Sequence, residues 1–196
     1  MTRHLFGRLA RERDGVTIVE FAFVAPVMFM LLLALLEMGY VAFARSTLES
    51  AILVASRESK VAECPAQTAE LIEEELMERL AVVSTFNDKP PKLEVRSYGT
   101  NFRNVGNPEP FNDIDGSGTW DPGESYQDIN GNGQWDDDMG KEGNFGQFGE
   151  VVEFSASMEV VSLVPFVAQA INGNEGFYAL SAETVVRNEP FKDAEC

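Results

Sequence analysis

The sequence predicts an α+β fold, and three observations predict it: an uncharged apolar run near the N-terminus, a second stretch with helix-periodic apolar residues, and later segments in which apolar residues alternate. The chain has 196 residues and 44 % hydrophobic residues, enough for one ordinary domain with a buried core. Its formal net charge of -17, with a pI near 4.3, argues against a general nucleic-acid binder, which needs a basic footprint to neutralise phosphates. A single histidine, His4, leaves little room for histidine-based catalysis. The two cysteines, Cys64 and Cys196, are too few for a disulfide scaffold or a histidine-poor zinc site. No nucleophile–base pair or phosphate loop is visible, so no enzymatic activity is expected.

The first element is a long helix. Residues 1–15 form a leader in which Arg3, Arg8, Arg11 and Arg13 outnumber Glu12 and Asp14. Residues 21–36 then carry no charge, and with their apolar flanks they reach the roughly 20 residues that a bilayer span needs. Arginines before the run and acids after it put the N-terminus in the cytoplasm and the bulk of the chain outside. The run is followed by Glu37, Met38, Gly39 and Tyr40 rather than a small-residue cleavage site, so an ordinary secretory signal fits poorly. Apolar spacing continues through Val41, Phe43, Leu48, Ile52, Leu53 and Ala55, which predicts one helix to about Arg57. Such a helix has about 40 residues and is roughly 60 Å long. Pro26 marks at most a kink, which membrane helices tolerate. Glu20 is costly in an apolar helix unless paired, which makes it a functional candidate. The alternative is an interfacial carboxylate stabilised by the helix N-terminus.

Gly15 ends the basic leader, and Glu20 is the fifth residue after it, followed by Phe21 and the apolar helix. That arrangement resembles a type IV prepilin. The resemblance implies cleavage after Gly15 by a prepilin peptidase on the cytoplasmic side, a new N-terminus at Val16, and a Glu20 charge that meets the α-amino group of a neighbouring subunit. Val16 departs from the Phe usual at that position. Within that class, residues 13–60 resemble the TadE-like family of tight-adherence pilus minor pilins, or pseudopilins, through Gly15, Val19-Glu20-Phe21-Ala22, Pro26, the leucine run and Glu37. Residues 149–191 resemble it more loosely. The resemblance implies a pilin-like fold, with residues 16–60 as the transmembrane and assembly helix.

Beyond the helix, Leu71, Ile72, Leu76, Leu80 and Val83 lie at helical spacing opposite a Glu-rich face. This predicts an amphipathic helix packed on a sheet. Residues 92–98 alternate like a strand, as do residues around Val152, Phe154, Ala156 and Met158 and those leading to Arg187; residues 166–171 suggest a short helix. Residues 61–105 and 149–196 would thus form the outer domain, on an antiparallel sheet of three or more strands, and residues 106–148 an insertion.

That insertion contains a fifteen-residue repeat, with copies starting at Phe111 and Tyr126 that share an Asp, an Ile, both glycines, the Trp and the next Asp. An EF-hand-type calcium loop draws oxygens from positions 1, 3, 5, 7, 9 and 12 and has Gly at 6. In the first copy these are Asp113, Asp115, Ser117, the Thr119 carbonyl, Asp121 and Glu124, with Gly118 at 6. In the second they are Asp128, Asn130, Asn132, the Gln134 carbonyl and Asp136, with Gly133 at 6. Position 12 of the second is Met139, for which Asp138 or Glu142 would substitute, so a second calcium ion is expected to bind more weakly than the first. A solvated acidic turn region is the alternative that two copies in register disfavour. Only Ser125, Tyr126 and Gln127 separate the loops, too few for flanking helices. Trp120 and Trp135, both at position 8, are expected to seal the loops against the domain, with an adhesive role as the alternative.

In an oxidising compartment Cys64 and Cys196 are expected to pair, closing a loop whose constraint is worth several kcal/mol. Free or intermolecular thiols are the alternative. The expected function is a minor pilin anchored in the bacterial inner membrane with its C-terminal domain in the periplasm, acting in pilus assembly and surface adhesion. Its partners would be other pilins, the Tad assembly machinery and prepilin peptidase. A membrane-tethered, calcium-dependent adhesin that never enters a filament is the second reading.

Overall fold

The computed structural model describes residues 14–61, 65–84, 89–173 and 176–189. The leader before Asp14, with His4, lies outside the described residues, and so do Cys64 and Cys196. The elements in chain order are α1 (Asp14–Val61), α2 (Pro65–Ser84), β1 (Lys92–Ser97), a 3₁₀ turn (Phe102–Asn104), β2 (Lys141–Glu142), β3 (Val151–Val161), α3 (Pro165–Asn172) and β4 (Phe177–Arg187). The layout is α+β: a long N-terminal helix followed by a small antiparallel sheet. The chain falls into two compact units, one of residues 1–42 and 162–177, the other of residues 43–161 and 178–196.

In the first unit the apolar part of α1 is uncovered, with Phe23, Leu31 and Leu35 each well over half exposed. Among the described residues α1 is the helix long and apolar enough to cross a membrane, through its stretch Thr17–Ser59. Pro26 stands inside it without ending it. The same unit contains α3. Pro165, which has no N–H to leave unpaired, opens that helix, and Gly173 closes it in the left-handed region at φ 71°.

In the second unit α1 buries Ala44, Leu48, Ala51, Ile52 and Ala55, a stripe at three- and four-residue spacing. The helix runs to Val61, four residues past the expected end. Ile72, Leu76, Leu80 and Val83 form the buried stripe of α2, which packs on β3, whereas Leu71, read from the spacing as part of that face, is 63 % exposed.

The sheet order is β2-β1-β3-β4. β1 runs antiparallel to β3, with Val95 opposite Phe154. Val152, Phe154, Ala156, Met158 and Val160 are all buried on β3, and Val95, Val152 and Phe154 make a core that Leu93, Phe145 and Val186 cover. Burying side chains of this size is worth about 1.5–3 kcal/mol each.

β2 was not predicted as a strand. It pairs antiparallel with β1 through Arg96–Glu142 and Ser97–Lys141, so the end of the segment read as an insertion is stitched to the sheet edge. A two-residue strand has no alternation to reveal it.

Candidate functional site

Two regions hold polar groups where the chain's chemistry makes them notable. The first is α1. Gly15 and Val16 fall in its first turn, and Glu20 is an exposed carboxylate on the uncovered apolar surface. Glu37, a turn before the apolar surface ends, is fully buried. One of its oxygens accepts the Val164 N–H at 3.0 Å, at the residue that precedes α3. Val164 offers α3 no side-chain cap, and its N–H is shared between Glu37 and Ser162 Oγ, the latter at 3.1 Å. The other Glu37 oxygen, Oε1, has no hydrogen-bond partner. Spacing alone did not mark Glu37 for this role, because its partner is 127 residues away.

The second region is the repeat. In the first loop Asp113 accepts the amides of Gly116, Ser117 and Gly118. Led by the bond from Gly118, these hold its carboxyl below the usual range. Gly118, at position 6, has φ 78°, which only glycine adopts at no cost. The two oxygens of Glu124 are fixed by the amides of Ile114, at 2.7 Å, and Asp121, at 3.0 Å. Asp113, Asp115 and Glu124 each bring a carboxylate oxygen within 4.8 Å of the others. Ser117 Oγ donates to the Thr119 carbonyl at 2.9 Å and also lies near Asp121.

The second loop repeats these bonds. Asp128 accepts the amides of Gly131 and Gly133, and Gly133 has φ 80°. Asn130 and Asn132 both donate to Asp136, at 2.8 and 2.6 Å, so these three of its predicted ligands are gathered together. Gln134 donates its amide to Asn132. Asp138, offered by the sequence for position 12, instead accepts Arg96 at 2.6 Å, the Tyr98 hydroxyl at 3.0 Å and the Gly140 amide. Glu142 pairs with Arg96 at 2.9 Å. These bonds fasten the insertion to β1.

A residue the sequence reading did not single out stands in the second loop where Glu124 stands in the first. Glu109, fully buried, accepts Ile129 N at 2.6 Å and Asp136 N at 3.3 Å. Ile129 and Asp136 lie fifteen residues after Ile114 and Asp121, the partners of Glu124, and Glu124 lies fifteen after Glu109. The indoles follow the same rule: Trp120 donates to the Glu124 carbonyl at 3.2 Å and Trp135 to the Glu109 carbonyl at 3.0 Å. The signal was present, two residues upstream of the point where the first copy was taken to begin.

The copies pack on each other. Phe111 and Tyr126 form an antiparallel bridge, flanked by hydrogen bonds from Asn112 N to Ser125 O and from Gln127 N to Pro110 O, both 2.8 Å. Trp120 and Trp135 stack at 5.3 Å with an interplanar angle of 11°. Tyr126 meets Trp120 edge-on and Phe111 meets Trp135 the same way. The tryptophans thus seal the loops against one another. Partial burial, then the charges of Asp128, Glu109 and Asp136, push the Tyr126 hydroxyl above its usual pKa, which registers the negative field between the loops.

Residues 15–57 match the family model described as TadE-like protein. This segment is TadE-like. It covers most of α1 and carries Gly15, Glu20 and Glu37, while the repeat lies beyond it. No curated protein and no solved structure matches the chain.

Proposed function

We propose that the chain is a minor pilin of a tight-adherence type IV pilus, held in the inner membrane by residues 16–40 with its outer domain in the periplasm, and that calcium stabilises the looped insertion. The observation that carries the reading is the TadE-like match over residues 15–57, on a helix whose apolar surface is uncovered and whose Glu20 follows Gly15 by five residues. An uncovered apolar helix packs either against lipid or against the like helices of a filament. Prepilin peptidase would release Val16 as the new N-terminus. Glu20 then sets register by pairing with that amine on a neighbour, in a medium where pairing matters most.

The calcium part rests on two loops in register, each with oxygens at positions 1, 3, 5, 7 and 9, and on the grouping of Asp113, Asp115 and Glu124. Calcium suits such loops better than magnesium, which demands a tighter octahedral cage. At extracellular, millimolar calcium the ion would hold an acidic segment whose own charges repel.

The pilin reading is tested with Glu20→Ala. The variant is expected to reach the membrane in normal amount yet fail to co-purify with other pilins. Normal pilus assembly by that variant contradicts the proposed role of Glu20. Calcium is tested by calorimetry on the full chain in detergent, with Trp fluorescence followed in parallel. Absence of uptake at millimolar calcium contradicts that part alone.

A further inference from the structure

We infer that Glu109 is the closing carboxylate of the second calcium loop, so that the insertion holds two cations in a pair of loops, each closed by the glutamate that precedes its partner's copy or follows its own. The inference rests on the calcium reading given above and specifies its second site.

The argument starts from what the loop lacks. A loop of this type takes two oxygens from the carboxylate at position 12, and Met139 has none to give. In the first loop Glu124 fills that role, with its oxygens positioned by Ile114 N and Asp121 N and its carbonyl held by the Trp120 indole. In the second loop the same three anchors, Ile129 N, Asp136 N and the Trp135 indole, hold Glu109. Oε1 of Glu109 also accepts Asn130 N, at 3.3 Å, whereas Oε2 accepts Asp136 N alone, which leaves Oε2 a lone pair for a metal ion. The crossing is made by the fifteen-residue repeat itself: the Phe111–Tyr126 bridge sets the two copies side by side, which carries the residue before the first copy to the loop of the second.

A second and independent observation concerns charge. Glu109 has 0 % exposure, and none of the ion pairs among the described residues involves it. A buried carboxylate without a positive partner is costly, and such groups are paired or coordinate metals. Backbone amides soften that cost without supplying a full charge. A divalent cation among Asp128, Asn130, Asn132 and Asp136 supplies it. Glu124, by contrast, is partly exposed, so Glu109 depends more on its cation.

The test is calorimetric titration of the full chain in detergent with calcium, comparing wild type, Glu109→Gln, Glu124→Gln and Asp138→Asn. Two ions per wild-type chain are expected. Glu109→Gln and Glu124→Gln should each leave one, and the double variant none with measurable affinity. Asp138→Asn should still take up two. If wild type takes up no calcium, the calcium reading falls and this inference with it. Two ions in wild type and two of unchanged affinity in Glu109→Gln overturn this inference alone, as does loss of an ion in Asp138→Asn. Should Glu109→Gln fail to fold, Glu109→Asp keeps the charge and shortens the reach. It should weaken one site and spare the other, and two unchanged affinities in that variant overturn the inference.

Discussion

Glu37 shows what a single residue does when its chemistry conflicts with its surroundings. A buried carboxylate in the apolar part of α1 is tolerated because it accepts the N–H of Val164, just before α3, alongside Ser162 Oγ. Charge-assisted bonds of this kind contribute about 1.5–3 kcal/mol. Glu37→Ala should therefore loosen residues 162–177, read as faster amide exchange there in detergent, while Glu37→Gln, which keeps an acceptor oxygen, should do so less. Equal exchange in all three proteins would refute that role. Tyr98 offers a pH test. Burial, then the hydrogen bonds to Glu153 and Asp138 and their charges, raise its hydroxyl pKa. The folded state therefore holds this proton more tightly than the unfolded chain does. The stabilisation is complete below the unfolded value near 10 and is lost as pH rises beyond it. Denaturant unfolding between pH 8 and about 11 should show that loss, and Tyr98→Phe should show a smaller one, the rest belonging to Tyr126.

At the scale of elements, the helices were readable because each presents one periodic stripe. Leu48 and Ile52 on α1, and Ile72, Leu76 and Leu80 on α2, are buried where the spacing put them. Leu48→Ala should cost about 2–5 kcal/mol in thermal or denaturant unfolding, and Leu53→Ala, at a position 48 % exposed, much less. Similar losses at both positions would contradict the assigned face. The edge strand β2 and the docking of the insertion were not readable. They depend on Arg96 pairing with Asp138 and Glu142, over 42 and 46 residues, and on Gly140 lying beneath the Tyr98 ring. A Cβ on Gly140 would come within 2.8 Å of that ring, so Gly140→Ala should destabilise by about 1–3 kcal/mol. The loops were readable position by position as far as each motif is local. Glu109 escaped because a linear motif looks for its last ligand downstream, whereas the folded repeat supplies it from upstream.

For the whole molecule, the charge of -17 is no longer a diffuse property. Nine acids and one lysine lie within residues 113–142, a local charge of 1 − 9 = -8. Most of the carboxylates in that stretch are held by backbone amides or by Arg96. Assembly, in the proposed function, belongs to the opposite end of the chain, where α1 carries the apolar surface and the TadE-like match. That claim is tested most directly by mass spectrometry of the protein taken from its native membrane in cells with active prepilin peptidase. The account predicts a mature chain that begins at Val16. A chain that retains residues 1–15 would contradict it.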